Sequence, residues 1–171
     1  VKFQLMASRT FPLFSLAGMG LLIAVTLASA SAFLLGSALG IALPSTQKSF
    51  DAELTDLQWI LNAHLLVESS FLLASGSLAD LYGRRRVFLI GISLFSVASL
   101  FSALTTGIGQ LIALQALQGL GGAMMIPGSL ALINTHFSEE NRGLAIGIWA
   151  GVSAGMAAFG PPVGGFLIYY A

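Results

Sequence analysis

Five long apolar stretches, separated by short polar ones, set the pattern of this chain. They cover residues 14–43, 57–79, 87–104, 111–133 and 144–171, each close to or beyond the roughly 20 residues with which an α-helix crosses a hydrocarbon core. The pattern predicts an all-α membrane protein of five transmembrane helices joined by four loops. Pro44 is expected to end the first helix, because a proline ring removes a backbone donor. Ser45 to Asp56 then reads as a polar loop carrying Asp51, Glu53 and Asp56. Thr105 to Gln110 is a short uncharged turn, and Asn134 to Gly143 a longer polar one holding Glu139, Glu140 and Arg142. The small residues Ala28 to Ala32 imitate a signal-peptide cleavage site, but the apolar run continues to Leu43. That exceeds a signal peptide's hydrophobic region, so the first helix is retained.

Composition agrees with this class and excludes others. Apolar residues make up 56% of the 171, charged residues 8%, and mean hydropathy is +0.90, more apolar surface than a soluble domain of this size can bury. The expected location is therefore an integral, multi-pass position in a plasma membrane or bacterial inner membrane. A formal net charge of zero offers nucleic acid no electrostatic footprint. With no cysteine and two distant histidines, no metal cluster is expected. An enzyme is disfavoured as well: no nucleophile stands at a recognisable spacing from a base, and no glycine loop follows a strand.

The few charges carry the remaining information. Taking the loops alternately, one side of the membrane holds Lys2, Arg9, Arg84, Arg85, Arg86 and Arg142, and the other only Lys48. The positive-inside rule then places the N-terminus and the turn around Asp80 in the cytoplasm. Among the acids, Glu68 alone falls inside a span. A charge at a helix centre costs about 2.5–3.5 kcal/mol on insertion scales, so Glu68 must be protonated, paired or open to an aqueous cavity. His64, one turn away on the same face, can share a proton with it. A proton-carrying or substrate-contacting role is one reading of the two; a neutral, hydrogen-bonded acid at a helix contact is the other.

Glycine is the second signal. The fifth span spaces Gly147, Gly151 and Gly155 four apart and continues into Gly160-Pro161-Pro162-Val163-Gly164-Gly165, a pattern suited to close helix packing and a bend. In the fourth span Gln115 and Gly119 share a face, which holds an amide beside a surface another helix can approach; substrate contact and interhelical adhesion both fit. Trp59, Tyr169 and Tyr170 sit near span ends, where aromatic side chains anchor at the interface.

Several of these motifs together resemble one family. Gly76-Ser77-Leu78-Ala79-Asp80-Leu81-Tyr82-Gly83-Arg84-Arg85-Arg86 is similar to the loop between the second and third helices of the major facilitator superfamily. Leu111 to Ala123 resembles that superfamily's fourth-helix motif, and Gly160-Pro161-Pro162-Val163-Gly164-Gly165 its fifth-helix motif in drug/proton antiporters. With Ala42-Leu43-Pro44 and Leu57 to Ala63, the chain looks most like the N-terminal five helices of the fourteen-helix drug/proton antiporter branch. The resemblance implies alternating-access export of hydrophobic or amphipathic compounds in exchange for protons. It implies no bound cofactor, a proton gradient being the energy source. Gly76, Asp80, Gly83, Arg84, Arg85 and Arg86 would form a conformational latch loop, and Glu68, His64 and Gln115 the candidates for proton or substrate contact. Gly151, Gly155, Gly160, Pro161, Gly164 and Gly165 would form the helix-packing motif.

The chain also departs from the family's pattern. Gln115 stands where the fourth-helix motif usually has an arginine, and Leu35 where the branch often has a first-helix acid, so neither role carries over and Glu68 is expected to bear more of the coupling. Family members have two six-helix halves with a cavity between them, so these 171 residues are expected to be part of a longer transporter whose remaining helices are partners to these. The alternative is a transport-incompetent remnant, or a small noncatalytic membrane protein that assembles with another chain.

Overall fold

The computed structural model describes residues 12, 13 and 15–170. Lys2 and Arg9, on which part of the orientation argument rests, and Ala171 lie outside the described residues. The described residues form five helices and no strand: α1 (Leu16–Phe50), α2 (Leu54–Tyr82), α3 (Arg84–Leu104), α4 (Ile108–His136) and α5 (Glu139–Tyr170). All five are long and apolar enough to cross a membrane.

The helices extend beyond the apolar runs, and the loops shrink accordingly. Pro44 does not end α1, which continues to Phe50. The carbonyl that the ring leaves without a donor belongs to exposed Gly40, and Thr46 Oγ1 donates to the neighbouring Ala42 carbonyl at 3.0 Å, so the break in the ladder is tolerated as in other membrane helices. The acids expected in a loop are instead helix caps. Asp51 closes α1 in the left-handed region at φ 48°, and the Glu53 N–H donates to Asp56 Oδ2 at 3.1 Å at the start of α2. Likewise only Phe137 and Ser138 separate α4 from α5. Glu139 and Glu140 occupy the first turn of α5, where the helix dipole favours negative charge.

Packing places α4 at the centre: 56% of its most apolar stretch is buried inside the bundle, against 17% in α2 and in α5. It is flanked by α2 and α3 through glycines on two faces, while α1 packs against α5. A Cβ built on Gly119 would collide with the carbonyl oxygen of His64 and stand 3.2 Å from the Glu68 nitrogen. One on Gly121 would lie 2.8 Å from the Phe95 nitrogen of α3. The α1–α5 seam uses Gly160 against Leu34 and Ser37, and Gly164 against Ala38. Polar side chains tie the seams further: Ser29 Oγ of α1 donates to Ser129 Oγ of α4 at 3.1 Å, and Gln118 Nε2 of α4 to Ser99 Oγ of α3 at 2.7 Å. Such bonds between membrane helices contribute on average about 0.6 kcal/mol, so they fix register more than they hold the bundle together.

Gly83 alone separates α2 from α3 and sits at φ 97°, ψ 127°, a region a side chain enters only with strain. Gly83→Ala is expected to cost about 1–3 kcal/mol. A lowered thermal unfolding midpoint would show it; an unchanged midpoint would mean that the turn can adopt another backbone path.

Candidate functional site

The site is built on α2 where it crosses α4. Glu68 lies fourteen residues from either end of α2, about 21 Å by helical rise, which is mid-membrane for a helix spanning a core of about 30 Å. His64 is one turn toward the helix N-terminus, its Nε2 3.5 Å from Glu68 Oε2. Both side chains are largely buried, at 12% and 21% exposure. The glycines of α4 make this possible: Gly119 admits the backbone of His64, and a Cβ on Gly122 would stand 3.3 Å from Glu68 Oε1. The carboxylate thus lies on a surface stripped of side chains. His64 Nδ1 is buried with no hydrogen-bond partner among the described residues.

Two cavities meet at His64, and Glu68 lines one of them. One, of about 360 Å³, is lined by Leu35 and Phe50 of α1, His64 of α2, Ser102 of α3, and Gln115 and Gln118 of α4. The other, of about 300 Å³, is lined by Phe33 and Ser37 of α1, His64 and Glu68 of α2, Ile126 of α4 and Ala157 of α5. His64 and Gly36 line both. Of the three residues the sequence offered for proton or substrate contact, Gln115 shares the first cavity with His64, and Glu68 shares the second with His64; no single cavity holds all three. Leu35, at the position of the branch's first-helix acid, is a wall of the first cavity.

At the far end of α2 a second group assembles. Asp80 Oδ1 accepts from Arg84 Nη2 at 3.2 Å and Nε at 3.4 Å. Arg84 Nη1 donates to Thr135 Oγ1 at 2.7 Å and to the Ala131 carbonyl at 3.3 Å. One guanidinium thus joins the end of α2, the start of α3 and the end of α4. Thr135 escaped sequence reading, since a partner 51 residues away leaves no local spacing to find it by. Three arginines in the first turn of α3 oppose the helix dipole, so helix stability does not explain them. Arg85 and Arg86 are exposed. Gly76 has open space where a Cβ would be, and so do Gly151, Gly155 and Gly165; of the fifth-helix motif only Gly160 and Gly164 meet a neighbouring helix among the described residues. Pro161 and Pro162 lie within the continuous α5. No group of three or more His, Cys, Asp or Glu suited to a metal occurs among the described residues.

Comparison with known proteins gives the family. The puromycin resistance protein pur8 of Streptomyces alboniger is 43% identical over 136 residues, which are 79% of this chain and 27% of that protein. The tetracenomycin C resistance and export protein of Streptomyces glaucescens is 38% identical over 130 residues, 76% of this chain and 24% of its own. The multidrug resistance protein Stp of Mycobacterium tuberculosis is 38% identical over 148 residues, 86% of this chain and 28% of its own. The chain thus spans about a quarter of the length of these relatives. The profile of the Major Facilitator Superfamily matches residues 10–171, and the chain belongs to that superfamily.

Proposed function

We propose that these residues form the first five helices of a proton-coupled exporter of hydrophobic or amphipathic compounds, working by alternating access with the N-terminus in the cytoplasm. The observation that carries this reading is the mid-membrane Glu68, set on the glycine surface of α4 and opening onto a cavity, beside a His64 that lines both that cavity and a second one. An intramembrane acid persists where it is paired or wetted, and such acids mark ion and substrate pathways. The relatives' names, which include resistance to puromycin and export of tetracenomycin C, support efflux of structurally unlike compounds. Gln115 and Gln118 supply neutral hydrogen-bonding groups on the cavity wall. Neutral groups of that kind suit broad recognition, because they orient a ligand without demanding a fixed charge.

Asp80 and Arg84 serve as a latch on the arginine side. Their side chains are 70% and 41% exposed, and a solvent-exposed pair of this kind contributes about 0.2–1 kcal/mol. That is too little to hold the fold, yet about 1 kcal/mol changes a two-state population roughly fivefold. The contact therefore suits a conformational bias that breaks when helices rock. In the full-length transporter, Arg84→Ala and Asp80→Asn are expected to lower drug transport by a few-fold in everted vesicles while surface expression stays near normal. Parallel loss of both would reduce the loop to a folding or topological role. Dye export that collapses when the pH gradient is dissipated tests the coupling itself; export indifferent to the gradient would remove proton exchange from the reading.

A further inference from the structure

The arginine end of the bundle holds two adjoining clefts that the transport reading leaves unused. One, of about 530 Å³, is lined by Ala17, Leu21 and Ala24 of α1, Arg85 and Phe88 of α3, and Leu132 of α4. The other, of about 460 Å³, lies among Tyr82, Arg84, Arg85, Arg86 and Thr135. Arg85, Leu132 and His136 line both, so a largely apolar trough and a cationic rim meet at the Arg85 guanidinium and the His136 ring. Arg84 is already engaged by Asp80 and Thr135. Neither Arg85 nor Arg86 forms an ion pair among the described residues, and Glu139 and Glu140 in the first turn of α5 pair with no arginine there.

The chemistry asked of an occupant is specific. A small soluble anion would meet the guanidinium but leave the trough of alanine, leucine and phenylalanine wet. A neutral hydrocarbon would fill the trough and leave the rim without a counter-charge. An anion joined to an acyl chain satisfies both, and the end of a membrane helix lies at the depth of lipid phosphates, where basic pockets between helices capture anionic head groups. We infer that this cleft binds an anionic glycerophospholipid, with its phosphate on Arg85 and Arg86 and one acyl chain in the gap that α1 and α3 leave over α4. Ala17 and Ala24 keep the trough open, and Arg85 is the head-group contact. The inference depends on the bilayer setting and on the basic rim, not on proton coupling, so a failed coupling experiment leaves it standing.

The test uses the full-length transporter, released from nanodiscs containing equal phosphatidylglycerol and phosphatidylcholine of matched chains, with retained lipid counted by native mass spectrometry. Phosphatidylglycerol is expected to be retained in preference. Arg85→Gln should reduce that preference about fivefold, the equivalent of about 1 kcal/mol per basic residue near an anionic surface, whereas Arg85→Lys should keep most of it. Ala24→Phe leaves every charge in place and fills the trough, and should also release the lipid; it reads the same site if Arg85→Gln fails to fold. Equal retention of the two lipids, an unchanged preference in Arg85→Gln, or retention unaffected by Ala24→Phe would each overturn the inference. Displacement of the lipid by soluble glycerol phosphate at matched concentration would overturn it too, since the trough would then contribute nothing.

Discussion

Glu68→Gln is expected to uncouple the full-length transporter: drug still binds and equilibrates down its gradient, but export no longer responds to an imposed pH difference. Glutamine keeps the volume and hydrogen-bonding capacity of the side chain and removes only the ability to gain and lose a proton. Among the described residues no other carboxyl lies mid-span, so no neighbour on these five helices can take over. His64, 3.5 Å from the carboxyl group, would face an amide instead, and the cost of inserting a charge there, about 2.5–3.5 kcal/mol, would not arise. The variant should therefore reach the membrane at least as well as the parent. A vesicle pH-jump experiment decides the matter: drug flux that follows the jump as fully in Glu68→Gln as in the parent excludes Glu68 as the proton carrier. Loss of drug binding with coupling intact would make it a substrate contact instead.

Gly119→Leu is expected to do the opposite, abolishing assembly rather than coupling. Even a single Cβ at Gly119 meets the carbonyl of His64 and approaches the Glu68 nitrogen within 3.2 Å, and backbone cannot rotate away as a side chain can. Gly119→Ala should cost about 1–3 kcal/mol, as overpacking generally does; leucine would push α2 off α4 and carry Glu68 away from Gly122. Gly109→Ala on the same helix meets nothing within 4 Å and should change stability by no more than about 0.5 kcal/mol. Fluorescence-detected size exclusion of tagged full-length protein reports the difference. If Gly119→Leu elutes as monodisperse protein in normal yield, the close α2–α4 crossing is not required for the fold.

The polar ends of the helices show where sequence reading reached its limit. Pro44 and the acids after it suggested a loop, because proline and charge interrupt an apolar run. Yet Pro44 lies inside α1 and Asp51 closes it. Hydropathy marks where the hydrocarbon ends, whereas helical hydrogen bonding continues into the head-group layer as long as caps are available. The same cause shortened the turn between α4 and α5 to two residues. The glycines were legible as packing residues, but not their addressees. Gly160 and Gly164 meet α1, while Gly151 and Gly155 face open space, and nothing in a four-residue spacing distinguishes the two pairs.

The sequence by itself determined the class, the number of spanning helices, the uniqueness of Glu68 as a mid-span acid among the described residues, and the position of His64 one helical turn from it on the same face. Each follows from local rules: hydrocarbon thickness fixes helix length, the insertion cost makes an intramembrane charge conspicuous, and a spacing of four residues brings side chains together on any helix. Only the tertiary structure decided that Arg84 also reaches Thr135, that His64 stands between two cavities, and that α4 is the helix on which α2 and α3 both close. Those facts depend on which helix faces lie against one another. In a bilayer, where every helix is apolar all round, hydrophobic periodicity no longer distinguishes a buried face from an exposed one, so the choice of partners passes to the shapes that glycines leave and to polar contacts far apart in the chain.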